Sequence, residues 1–232
     1  MIRFLWVRVL FGLALYSSLC YSFPPRDFLE AKKFLKTLPY ESQPTTLYCN
    51  ACWTADGRVI SGCPEGWTED DCKLEWDHIV PASLLGVNLP CWQENACPWN
   101  PKKNKRSCCQ EISPEFALRE ANVYNILPVL KKINRARSNF LPGIVYNRQR
   151  SLELCGMWID PKTHTFEPPD HLKGRIARIY LHMYQEYRFP ISQRRLQIIA
   201  EWDRKYPANF EEKRYIILLN KNLFMGQNRE NI

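Results

Sequence analysis

The periods at which apolar residues recur divide the chain into a short helical stretch, a strand-and-turn stretch and a long helical remainder. Phe28-Leu29, Ala31 and Phe34-Leu35 keep helical spacing between Arg26 and Leu38, and Pro39 with Gln43-Pro44 ends that pattern. From Thr45 to Val80 the signals change. Asp56-Gly57 between Trp53 and Val59-Ile60 predicts a hairpin, and Leu74, Trp76, His78 and Val80 alternate with Glu75, Asp77 and Ile79 as in a strand. Residues 88–113 read as a long loop whose cysteines argue for order. Ser113-Pro114-Glu115 then supplies a cap and a first-turn proline for a helix to about Asn122. Pro128 opens a further predicted helix ending at Asn139, with Val129 and Ile133 inward and Lys131, Lys132, Arg135 and Arg137 outward. Leu172, Ile176, Ile179, Met183 and Tyr187 make one apolar stripe, and Ser192 caps a last helix through Trp202 to Tyr206. With no internal repeat and no linker, the pattern predicts one α+β, helix-rich domain.

Composition places that domain outside the cytoplasm. Arg3 and Arg8, an apolar run from Val9 to Leu19 and small residues ending at Ser22 read as a cleaved export signal over residues 1–22, too short in its apolar part to span a bilayer. The mature domain is then 23–232, periplasmic or secreted, with no stable membrane association. Removing the leader takes away two arginines and no acid, so the net charge of +8 falls to +6. A basic balance suits a polyanion partner. Nine cysteines remain without Cys20, and in an oxidising compartment they imply disulfides, with an odd thiol left over. Cys49-Asn50-Ala51-Cys52 has the spacing of half a zinc site, but no second half follows.

Glu75-Trp76-Asp77-His78 before Ile79-Val80-Pro81 is the segment that carries chemistry. Carboxylate oxygens are hard ligands for a divalent cation, and a neutral imidazole beside them can take a proton from water. Strict strand alternation would put Asp77 and His78 on opposite faces, so one site can use both only where the strand ends.

Several segments together resemble the endonuclease I family of exported bacterial nucleases. They are Tyr48-Cys49 with Cys52, Leu74 to Pro81, Cys91-Trp92-Gln93, Arg106 with Cys109, Glu120-Ala121 to Pro128, Ile133-Asn134 to Phe140, Pro168-Pro169-Asp170, Gly174 to Tyr180 and Trp202 to Pro207. The resemblance implies a disulfide-stabilised domain around a ββα-metal (His-Me finger) core that hydrolyses DNA and RNA with little sequence preference. It implies one divalent cation, Mg²⁺ first and Ca²⁺ or Mn²⁺ in its place, held by Asp77, where the family usually has Glu, and by Asn134. It further implies His78 as general base, Glu120 as the acid that orients it and Arg106 as the phosphate-binding arginine. Phosphate contacts along the backbone are expected from Lys131, Lys132, Arg137, Arg175 and Arg178, in a monomer. About seven extra residues between Gln93 and Arg106 bring Cys97 and Trp99 beside that arginine. The rival expectation is a catalytically impaired nucleic-acid-binding protein on the same scaffold.

Overall fold

The computed structural model describes residues 24–40, 43–94 and 96–227; the predicted leader lies outside them. Helix α1 (Phe28–Lys36) begins where the Asp27 carboxylate accepts from the Glu30 N–H, and the Asp56-Gly57 turn joins β1 (Cys52–Trp53) to β2 (Val59–Ser61) as an antiparallel hairpin. β3 (Leu74–His78) is followed by α2 (Ala82–Gly86), α3 (Lys105–Ile112), α4 (Pro114–Glu120), β4 (Ile126–Leu130) and α5 (Lys131–Arg137). Side chains of Asn104 and Ser113 cap α3 and α4 by accepting N–H bonds from the first turn. β3 and β4 pair antiparallel from Leu74 with Leu130 to His78 with Ile126, and α5 then turns back along β3.

The helix expected from Pro128 begins only at Lys131. Residues 126–130 are apolar and buried, and a buried run of that length is a strand when it pairs with one. Pro128 sits opposite Trp76 in a two-stranded sheet, where each strand keeps a free edge on which a proline is tolerated. The predicted loop 88–113 contains a 3-10 turn at Pro90–Trp92 and all of α3.

Two elements beyond the predicted ones complete the domain. Strands β5 (Leu141–Pro142), β6 (Leu152–Leu154), β7 (Met157–Asp160) and β8 (Thr165–Glu167) form a sheet ordered 5-8-7-6, each too short to show an alternation. After α6 (Asp170–Tyr187) and α7 (Gln193–Lys205), α8 (Phe210–Gln227) covers Trp53, Trp76 and Ile126 through Leu219. Its unbroken run Ile216-Ile217-Leu218-Leu219 has no polar face to reveal it. The β3–β4 ribbon therefore separates two cores. Ile126 faces that of α1 and α8, while Leu127, Val129 and Leu130 face that of α5 to α7.

Four disulfides lie on this frame: Cys49–Cys155, Cys63–Cys72, Cys91–Cys109 and Cys97–Cys108. Cys52 is the free thiol among the described residues, which accounts for the odd count. The adjacent Cys108 and Cys109 hold Cys91 and Cys97 against α3. A Cβ on Gly86 would lie 2.1 Å from the Trp92 ring, so only glycine lets Trp92 settle there. Because a cross-link stabilises more the longer the loop it closes, Cys49→Ser/Cys155→Ser, 106 residues apart, is expected to lose about 4 kcal/mol and Cys91→Ser/Cys109→Ser about 3 kcal/mol in urea unfolding. Losses below about 1 kcal/mol would show that the bridges add nothing to the packing.

Candidate active site

The end of β3 is fixed from both sides. Asn125 is fully buried, and its amide forms a two-way clamp on Val80, accepting from the Val80 N–H at 2.7 Å and donating to the Val80 carbonyl at 3.0 Å. The Ile79 N–H donates to the Asn125 carbonyl, and strand pairing stops at His78. There the chain turns at Pro81 into α2. Asp77 and His78, which alternation sends to opposite faces, consequently line one cleft of about 430 Å³ with Trp92, Arg106, Asn134 and Arg137.

His78 is buried beneath Phe28 of α1, ring centroids 4.4 Å apart. Its Nε2 lies 2.7 Å from the Glu120 main-chain carbonyl. A carbonyl only accepts, so Nε2 carries the hydrogen and Nδ1 is the nitrogen left to take a proton. That carbonyl closes α4, where the last turn has no intrahelical donor to offer it. Burial, joined by the positive charge of Arg106, pushes the imidazole down to about 3, so it is neutral throughout the physiological range.

Glu120 meets His78 through its backbone alone. Its buried carboxylate instead binds the Nε and Nη2 groups of Arg106, and it accepts from Gln110 Nε2 at 2.7 Å. Arg106, in the first turn of α3, is thereby held at the cleft wall with its remaining N–H groups unspent. The expected acid thus orients the arginine, and the His78 ring is oriented by a main-chain oxygen that no residue pattern announces.

Helix α5 is fastened along β3 by side chains in register. Lys131 binds Asp70 at 2.6 Å and Lys132 binds Asp71 at 3.1 Å; Asn134 donates to Glu75 at 2.7 Å, and Arg137 grips Asp77. Asn134 and Arg137, three apart on the helix, reach Glu75 and Asp77, two apart on the strand, because a rise of ~4.5 Å faces one of ~6.6 Å. Arg137 donates to both Asp77 oxygens, at 2.9 and 2.5 Å, and to the carbonyls of His78 and Ile79. Burial pushes the Asp77 carboxyl up against the pull of that guanidinium. Burial also opposes the charge on Arg137, but the facing carboxylate outweighs it and holds the arginine above its ordinary value.

Among the described residues no three His, Cys, Asp or Glu side chains cluster as a metal site. The oxygen donors on the cleft nevertheless suit a hard cation. Glu75 can only accept, so it takes the Asn134 NH₂ and leaves that amide's oxygen free, while each Asp77 oxygen has a second lone pair beyond the one given to Arg137. One carboxylate, one amide oxygen, solvent and a substrate phosphate are the set Mg²⁺ commonly takes. Cys49 is in a disulfide, so the Cys49 to Cys52 pair is not a zinc half-site.

The expected phosphate-binding residues are dispersed, and the structure corrects their placement. Arg137 is interior, turned inward because α5 lies with this face on β3. Arg178 is taken up by Glu212, Asp203 and the Tyr206 carbonyl, since α7 and α8 cover the polar side of α6. Arg175 stands over the Tyr215 ring in a separate cavity of about 890 Å³ between α6 and α8. Lys131 and Lys132 stay at the surface beside Asp70 and Asp71, and Arg135, bound to Glu75, is well exposed on the rim of the cleft.

Residues 32–229 match the family described as Endonuclease I. Over 192 residues the chain is 30% identical to an extracellular deoxyribonuclease from Aeromonas hydrophila, with 79% of each chain covered. It is 29% identical to a periplasmic deoxyribonuclease of that organism over 178 residues, 73% of this chain and 71% of the relative. It is also 32% identical to Endonuclease-1 of Buchnera aphidicola subsp. Acyrthosiphon pisum over 136 residues, 59% and 50% of the two chains. A match over most of its length places the chain among the enzymes that hydrolyse phosphodiester bonds. Within that class, it belongs to the endonuclease I family.

Two outcomes follow from the interior charges. Arg137→Ala leaves a buried carboxylate unpaired and is expected to cost roughly 3–5 kcal/mol in urea unfolding; a change under 1 kcal/mol would mean that Asp77 finds other partners. His78 takes up a proton near pH 6.5 when unfolded but only near 3 when folded. Its contribution to stability is therefore complete above about pH 6.5 and is lost as pH falls toward 3, by on the order of 2 kcal/mol between 6.5 and 4.5. In EDTA, His78→Gln should show a correspondingly shallower acid loss, and identical slopes would overturn the assignment of that loss to His78.

Proposed function

We propose that this protein is an exported, divalent-metal-dependent endonuclease that cleaves DNA and RNA with little sequence preference, working in the periplasm or outside the cell. The observation that carries the reading is the fixed tautomer of His78. Its Nε2 is committed to the Glu120 carbonyl and its charge is suppressed by burial, so Nδ1 is a ready proton acceptor at neutral pH. His78 takes the proton of the attacking water. Arg106, braced by Glu120, donates its free N–H groups to the phosphate and stabilises the charge that builds there. Asp77 and Asn134 would hold the cation, which supplies Lewis-acid stabilisation of the phosphate and of the departing oxygen. Lys131, Lys132 and Arg135 track the neighbouring phosphates, so affinity falls with salt. No helix among the described residues is long and apolar enough to cross a membrane.

A second reading, nucleic-acid binding without cleavage, is favoured by one observation: Arg137 already engages both oxygens of Asp77. Plasmid and RNA digestion by oxidised residues 23–232 separates the two. Cleavage is expected with Mg²⁺, none with EDTA, and a loss of at least about 10²-fold for His78→Ala, the lower end of what a general base contributes. Tight binding with no cleavage under Mg²⁺, Mn²⁺ or Ca²⁺ would establish the second reading instead. Reduction with dithiothreitol should abolish cleavage, since it frees α3 and Arg106 from two bridges; full activity after verified reduction would rule that link out.

A further inference from the structure

The segment between the 3-10 turn and α3 leaves the cleft wall at Trp92 and returns to it at Arg106. At its outer turn stands Trp99, 61% exposed although it is the largest apolar side chain in the segment. An indole left in water has a reason to move inward, yet this one is held out. Its Nε1–H donates to Glu111 of α3 at 3.2 Å, and Glu111 is gripped from its other side by Lys103. Main-chain bonds from Asn100 to Cys97 and from Lys103 to Asn100 close the turn, and Cys97–Cys108 bolts it to α3. Glu111 lies five residues beyond Arg106, ~7.5 Å along the helix axis and about 140° round it, so the indole stands on a face of α3 turned away from the one that carries Arg106 into the cleft. Lys102 and Lys105, three and six residues on from Trp99, are both exposed and without a carboxylate partner.

We infer that Trp99 is a stacking platform for an unpaired nucleobase of the substrate strand where that strand passes outside the cleft, with Lys102 and Lys105 on phosphates of the same strand. The inference rests on the nuclease reading for its substrate and adds to it a subsite for single-stranded or locally opened nucleic acid. An exposed, immobilised aromatic loses little freedom when a base settles on it, and every base offers a π-face, so the contact adds affinity without sequence preference. In a closed duplex the bases already stack on one another and the platform has nothing to receive.

The test is binding of a fluorescent all-dT 12-mer, the same 12-mer with abasic residues flanking a central dT step, and a 12-base-pair duplex, by anisotropy in EDTA. Wild type, Trp99→Ala and Trp99→Phe are compared, with cleavage of the same three substrates in Mg²⁺ measured in parallel. Trp99→Ala should weaken the all-dT strand about 5- to 100-fold, the range a stacked base commands, and leave the abasic strand and the duplex within about twofold. Trp99→Phe should restore most of the loss, and the KM for all-dT cleavage should follow binding with kcat little changed. Lys102→Gln and Lys105→Gln should each reduce the slope of log affinity against log salt by about 0.7. Equal affinity of wild type and Trp99→Ala for the all-dT strand, or an equal loss on the abasic strand, would overturn the platform. Binding that depends on Trp99 while no variant cleaves would keep the platform and remove the nuclease reading.

Discussion

A single guanidinium determines how the chain can leave β3. Arg137 binds the Asp77 carboxylate and two successive carbonyls beyond it, all in the interior, so its position fixes three consecutive residues of strand end at once. A lysine has donors enough but no planar fork with which to satisfy a carboxylate and the adjoining main chain together. The charge is costly to bury, and it is tolerated because every partner is met with good geometry. What it secures is a bend at which two neighbouring side chains, opposed in any continuing strand, share one cleft.

The rest of the molecule supports that bend from outside. β4 pairs with β3 and is covered on both faces by separate cores, so the ribbon cannot slide without exposing one of them. Phe28 and Arg106 arrive from elements far apart in sequence, one from α1 and the other from α3. The second arrival depends on covalent bridges, because the segment leading to α3 contributes few buried side chains of its own. The two sides of the cleft are thus held by different devices: packing and a buried ion pair hold His78, and disulfides hold the helix that carries Arg106.

The sequence revealed a good part of this arrangement and concealed the rest for identifiable reasons. Capping residues Ser113 and Ser192 begin helices where expected, and Asp56-Gly57 turns a hairpin, because those signals act locally. Pro128 misled, since a proline opens a helix as readily as it occupies a strand edge, and the basic run after it keeps helical spacing. Helix α8 was invisible for want of a polar face, and strands of two to four residues are too short to express a period. At the site, His78, Asp77, Asn134 and Arg106 were legible as residue types in order, and they do meet at one cleft. Arg137 and Arg178 looked like surface cations because periodicity assigns a face to water without knowing which element will cover it. The contributions of Asn125 and Phe28 left no local trace, for each depends on a partner distant in the chain.

Position 120 serves two masters with two different parts of one residue. The imidazole is addressed by its main-chain oxygen and the arginine by its side chain, so the placement of the ring and the placement of the guanidinium are inherited independently. Evolution can alter the side chain there and loosen the hold on Arg106 while His78 keeps its tautomer. Altering the length or termination of α4 does the reverse. Chains with the same ladder of strand and helix can therefore diverge at the arginine without first disturbing the imidazole.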